Sequence, residues 1–161
     1  MVDRGVTYEK VSQAHVEALA ATLRDDDAKE LEAGGWERSL DAIIFSVWAS
    51  ELSLAVSFNG EVAAIAGISA VSVDPDGVKS GTAWVLTSKV VNRFPVTFWR
   101  ESRWLLAQFR QSVPRLQNAV DARYLKALRW AQRLGFDLGE VKPIGPNGEP
   151  FNVIRIGGHH A

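Results

Sequence analysis

The side chains able to do chemistry fall in three places along the 161 residues. The first is an acidic run: Asp25, Asp26, Asp27, Glu30 and Glu32. Such a group could attract an amine or ligate a metal. Metal ligands must converge on one point, whereas successive residues at a helix start point in different directions. The run therefore reads as a solvated helix start, with one aspartate as the cap and its charge at the positive pole of the helix dipole. The second place is cationic: Arg93, Arg100, Arg103 and Arg110, with Trp99 and Trp104 among them. Arg93, Arg100 and Arg103 are spaced to lie near one face. That face is the solvated outside of a connecting helix or, alternatively, a docking surface for protein or nucleic acid. The third is histidine. His159 and His160 follow Gly157-Gly158 at the end of the chain and read as a frayed tail, with loose metal binding the alternative. His15 reads as a surface residue. No Ser-His-Asp spacing supports a nucleophilic hydrolase, and the absence of cysteine removes thiol chemistry and disulfides. No catalytic residue is assigned.

Elements must position these groups. With 47% hydrophobic residues and a net charge of −1, the composition predicts one soluble globular domain over residues 1–161. Bulk charge gives it no attraction for nucleic acid. The opening "MVDRGVTYEK" lacks the apolar core of a secretory signal. The longest apolar stretch, Val62 to Val73, holds Gly67 and Ser69 and is too short to span a bilayer.

"VTYEKV" predicts a first strand, and Ser12 to Leu23 a helix capped by Ser12. A second helix is expected through Ala28 to Ala33, ended by Gly34-Gly35. A third runs from Ser39 to Ser50, with Ser39 as cap and Leu40, Ile43, Ile44, Val47 and Trp48 as its buried face. The period then shifts to strands: "LSLAVSF" and "EVAAIAGISAVSV" flank the hairpin signal Asn59-Gly60, and "GTAWVLTSKVV" follows the turn "DPDG". A long helix opens near Pro95 and stops at Pro114, with Phe98, Leu105, Leu106 and Phe109 as its stripe. After the strand "RLQNAVDA", the stretch Arg123 to Leu134 is amphipathic. Gly135 supplies its left-handed stop, and Phe136 folds back on the last turn. A last strand "FNVIRIG" follows. The order is an α/β (α+β) fold, a mixed central sheet flanked by helices, with a parallel crossover pair around the long helix.

This order, with Leu134-Gly135-Phe136 closing the late helix, resembles the GNAT N-acyltransferases. Other segments resemble the gene-13 internal virion protein family of short-tailed bacteriophages, on a GNAT-like fold. They are "AWVLTSKVV", "LQNAVDA", "LRWAQRLGF" and "GPNGEPFNVIRI", with "RDDDAKELEAGG" and the Ser46 region near the start. The resemblance implies an assembly or internal virion protein whose partners are phage virion or assembly proteins. Its expected location is the host cytoplasm during assembly, and then the virion.

The alternative is a divergent N-acyltransferase using acetyl-CoA, held between the strand at Trp84 to Val91 and the strand at Leu116 to Ala122. Three features of active members are missing here. The family's glycine-rich pyrophosphate turn corresponds to "KVVNRFPVTFWRES", and no glycine occurs between Gly81 and Gly135. The position of a cofactor-contacting Asn is Tyr124, and that of the thiolate-protonating Tyr is Ala131. Tyr124, two turns earlier, is not expected to replace it. If the chain is active, the cofactor contacts expected are Thr87, Ser88, Lys89, Val91 and Arg93. The acceptor contacts expected are Asp27 and Glu30. No metal is expected.

Overall fold

The computed structural model describes residues 5–158. Along the chain run β1 (Val6–Glu9), α1 (Gln13–Thr22), α2 (Asp25–Ala33), α3 (Ser39–Ala49), β2 (Ser50–Phe58), β3 (Glu61–Val73) and β4 (Lys79–Thr87). Then come α4 (Val90–Arg93), α5 (Pro95–Ser112), β5 (Arg115–Asp121), α6 (Leu125–Leu134), β6 (Asp137–Ile144) and β7 (Glu149–Ile156). The strands form one sheet in the order β1-β2-β3-β4-β5-β7-β6. Only β4 and β5 pair in parallel, on either side of the long helix as expected; the other named pairs are antiparallel.

Local chemistry sets several boundaries. Asn59 and Gly60 both have positive φ, 51° and 82°, which is what a two-residue turn between twisted strands requires. Ser12 caps α1 by accepting the His15 N–H at 3.3 Å, and the His15 ring returns the bond at 3.0 Å. His15 thus completes a capping box, a role beyond that of a surface residue. Gly135 closes α6 with φ 110°, and the Phe136 N–H reaches the Ala131 carbonyl at 3.0 Å. Phe136 is buried there, as its position after the glycine predicts.

Three expectations are corrected. Arg24 and Arg38 stand at the N-caps of α2 and α3, so no aspartate of the run and not Ser39 is the cap; Asp25, Asp26 and Asp27 occupy the first turn of α2. On α3 the buried residues are Ala42 and Ile43, while Ile44 is 50% and Trp48 81% exposed. The third strand ends at Thr87, four residues early. Ser88 breaks it: its hydroxyl donates to the Val62 carbonyl at 2.7 Å and accepts the Val90 N–H at 3.2 Å. Val90 and Val91 then turn into α4 and pack on Val6, Val56 and Phe58.

Alternate residues of β3 face opposite layers. Ala66 and Ile68 meet Phe109 of α5 and Leu128 and Ala131 of α6. Ile65 meets Leu19 of α1 and Ile43 of α3. Helices α5 and α6 therefore share one face of the sheet, with Phe98 and Trp130 stacked at 5.5 Å between ring centres.

The parallel junction is short. Ser80, Gly81 and Thr82 pair with Arg115, Leu116 and Gln117, and beyond them the strands part. The closed end is clamped by Arg115, which donates to Asp74 at 2.9 Å and to Asp76 at 2.5 Å. Asp74 also accepts the Ser80 hydroxyl.

Candidate active site

Because β4 and β5 separate toward their C-terminal ends, they leave a crevice of the kind in which open α/β sheets bind ligands. Its volume is about 1110 Å³. Ala83 and Val85 of β4 and Asn118 and Val120 of β5 form its floor, and Phe98 and Trp130 stand in its helical wall. Past Thr82, the edge of β4 that faces β5 has no strand partner. Its main-chain donors and acceptors face an apolar cleft, a setting that suits an amide-bearing chain.

A second recess of about 660 Å³ lies among α2, the start of α6 and the β6–β7 turn. It is polar and largely acidic: Asp26, Glu30, Glu32, Asp121 and Glu149 line it, with Lys29, Arg123 and Lys126. Glu30 and Tyr124 line both recesses.

Burial shifts the protonation of both residues. The Glu30 carboxylate accepts the Asp121 N–H at 3.2 Å. Burial pushes its pKa up to about 7; nearby Asp27 and Asp121 add to this and the Asp121 N–H opposes it. Burial likewise pushes the Tyr124 phenol up to about 12, so it keeps its proton at neutral pH. One group is poised to take a proton near neutrality and the other to give one.

Asp27 lines the cleft but its carboxylate is committed elsewhere. It accepts the Thr87 N–H at 2.8 Å and the Thr87 hydroxyl, and lies 3.8 Å from Arg24. It is a strut that ties α2 to the end of β4. Burial raises its pKa, against the opposing pull of Arg24 and Thr87. Of the two expected acceptor contacts, Glu30 faces the acidic recess and Asp27 does not.

The expected cofactor contacts divide. Thr87, Lys89 and Val91 line the cleft, whereas Ser88 and Arg93 are not among its lining residues. Arg93 is held by Glu61 at 2.5 Å. The main-chain donors are taken up within the chain. Thr87 donates to Asp27, Ser88 to the Ala63 carbonyl at 2.9 Å, Lys89 to Thr22 at 2.9 Å, and Val91 to Ser88 at 3.3 Å. A diphosphate bound at a helix N-terminus needs free N–H groups, and Pro95 at the start of α5 has none. The turn from Thr87 to Phe94 therefore offers no extended backbone cradle for a diphosphate, and at the start of α5 only the N–H groups of Val96 and Thr97 are left over.

Sequence reasoning set Tyr124 aside as a proton donor and did not single out Trp130. Tyr124 stands immediately before α6, and counting back from Gly135 locates it on the helix but not over the cleft. Trp130 lies outside the stripe that periodicity assigns to the core, yet stacks on Phe98. No group of three or more His, Asp or Glu able to hold a metal occurs among the described residues. His159 and His160 lie outside those residues. No described helix is long and apolar enough to cross a membrane.

No family model and no curated protein matches the sequence. Solved structures do match in shape. One is the ribosomal-protein-S18-alanine N-acetyltransferase from Escherichia coli, with TM-score 0.62 and 16% identity over 97% of this chain and 96% of that one. Another is RimL, the ribosomal L7/L12 alpha-N-protein acetyltransferase in complex with coenzyme A, with TM-score 0.69 and 11% identity over 96% and 95%. A third is the microcin C7 self-immunity acetyltransferase MccE in complex with acetyl-CoA and AMP, with TM-score 0.67 and 13% identity over 95% and 92%. The seven-stranded mixed sheet with its flanking helices is the fold of the GNAT acetyltransferases.

Proposed function

We propose that the protein is an N-acyltransferase that moves an acyl group from a thioester to a cationic amine. The observation that carries this reading is the position of Glu30 and Tyr124, the half-buried pair among the five residues, with Asp26, Lys29 and Lys126, that line both the large cleft and the acidic recess. The thioester arm lies along the parted edge of β4, between the strands and the Phe98–Trp130 wall. Lys89 at the cleft border, 4.0 Å from Asp25, offers the arm's anionic end a point charge. The amine enters through the acidic recess, drawn by Asp26 and Glu32, while Glu149 is paired with Arg123 at 3.2 Å.

The ammonium gives one proton to solvent on entry, and Glu30 takes a second as the neutral amine attacks. The nitrogen forms the C–N bond to the acyl carbon as the C–S bond breaks, and the Tyr124 hydroxyl gives its proton to the departing thiolate. Tyr124 then regains the proton that Glu30 holds, which restores both groups. The net change is one amide and one thiol per thioester and amine. The acetyltransferase neighbours, two of them bound to coenzyme A or acetyl-CoA, support this reading through the fold. The virion-component reading rests on the resemblance of the sequence segments alone, and a scaffold would not require a tuned carboxyl at the meeting of two recesses.

The test is thiol release from acetyl-CoA and acetyl-pantetheine, each with a lysine-rich peptide or a diamine. Release that depends on the amine and disappears in Glu30→Gln supports the reading. Absence of amine-dependent release from every thioester tried sinks it.

A further inference from the structure

We propose that the acyl donor arrives on an acidic carrier protein, at the end of a phosphopantetheine arm, and that this carrier docks on the exposed basic face of α5 and α6. The inference rests on the acyl-transfer reading and names the donor for the same cleft.

Two independent observations lead to it. The first is what the cleft entrance fails to offer. The N–H groups of Thr87, Ser88, Lys89 and Val91 are bonded within the chain and Pro95 has none, so a diphosphate finds no extended backbone cradle, while the first-turn N–H groups of Val96 and Thr97 are left for a single phosphate. A carrier-borne arm has no diphosphate; it joins its protein through one phosphodiester, which side-chain cations can meet.

The second is the charge of the face beside the entrance. Helices α5 and α6 together expose Arg103, Lys126, Arg129 and Arg133, while Arg110 is half-buried and donates to the Pro114 carbonyl at 3.1 Å. Their one acid, Glu101, is 6% exposed and accepts the Tyr8 hydroxyl at 2.6 Å. A chain with a net charge of −1 thus gathers cations on a surface without an exposed carboxylate of its own. Lys126, Arg129 and Arg133 recur at helical spacing along one stripe of α6. Arg133 lies over the Trp99 ring at 4.4 Å, which joins that stripe to α5, and Arg103 follows Trp99 by one turn. Lys126, Arg133 and Trp99 also line the cleft, so the basic face runs into the cleft mouth. Arg103 and Arg129 are exposed. A partner that must present an arm at that mouth, against that charge, is an acidic protein.

The experiment compares three donors with one amine acceptor: acetyl-CoA, free acetyl-pantetheine and an acetylated acyl carrier protein. Wild type is compared with the double variant Arg103→Glu, Arg129→Glu, whose folding is checked by its melting curve. The carrier-bound donor is expected to exceed acetyl-CoA in kcat/KM by about tenfold or more, and the double variant to lose that advantage while its rate with free acetyl-pantetheine is unchanged. Equal or faster transfer from acetyl-CoA overturns the carrier but leaves acyl transfer standing. Carrier turnover untouched by the charge reversal overturns the docking face, and so does a face that binds an RNA oligonucleotide but no carrier. Direct titration of the carrier protein, followed by NMR, separates the two readings. Salt-sensitive binding by wild type, lost in the double variant, supports docking even where no amine is acylated; no binding by wild type ends it.

Discussion

Glu30 ties reactivity to stability through one proton. Its carboxyl is raised to about 7 by burial first and by neighbouring carboxylates second. As the base, it should make kcat/KM climb as pH rises through about 7. Glu30→Gln should flatten that limb and lower the rate by about 10² to 10⁴. Tyr124→Phe should lower kcat while KM holds, because the hydroxyl acts on the leaving sulfur. Folding runs the other way. A carboxyl raised in the folded state contributes stability fully below its unfolded value of about 4.3, and that contribution is lost as pH rises through the folded value. Glu30→Gln should therefore gain urea resistance relative to wild type at pH 8 and little at pH 4, the trade of stability for activity expected at a working site. Asp27 is different in kind. Asp27→Ala strands the Thr87 N–H and hydroxyl, and should cost about 1–3 kcal/mol in equilibrium unfolding.

The elements that could be read in advance are those whose ends are set by their own residues. Asn59-Gly60, Ser12 and Leu134-Gly135-Phe136 each carry local turn or cap chemistry, and each stands where the spacing places it. Gly135→Ala is a direct check. With φ at 110° and a new Cβ 3.3 Å from Ile156 Cδ1, it should lower stability by about 1–2 kcal/mol, seen as a lower Tm. Elements whose ends depend on distant partners were not legible. The stop of β4 is made by Ser88 bonding to Val62, 26 residues away in sequence. The face of α3 follows how narrowly that helix meets the sheet, so Trp48 is outside although its spacing puts it within. The site shows the same divide. Glu30 stands out in the acidic run by charge alone, whereas Tyr124 becomes a proposed acid only when β5 delivers it to the meeting of the two recesses.

Across the whole molecule the sheet consists of two panels, β1 to β4 and β5 with β7 and β6, stitched by three residue pairs and the Arg115 clamp. Such a seam is a mechanical joint. Each panel carries its own long antiparallel ladders, while the seam is held by a few main-chain bonds and one guanidinium, helped by α2, which bonds to Thr87 and to Asp121, and by the core beneath α5 and α6. Hydrogen exchange should resolve two cooperative blocks that open independently, with the amides of Ser80 to Thr82 and Arg115 to Gln117 exchanging faster than those of β2 and β3. Arg115→Ala should speed exchange along the seam and leave the panel interiors unchanged. The stiffness of that short joint then sets how widely the two panels gape, and so how long a side arm they can grip and how quickly they let it go.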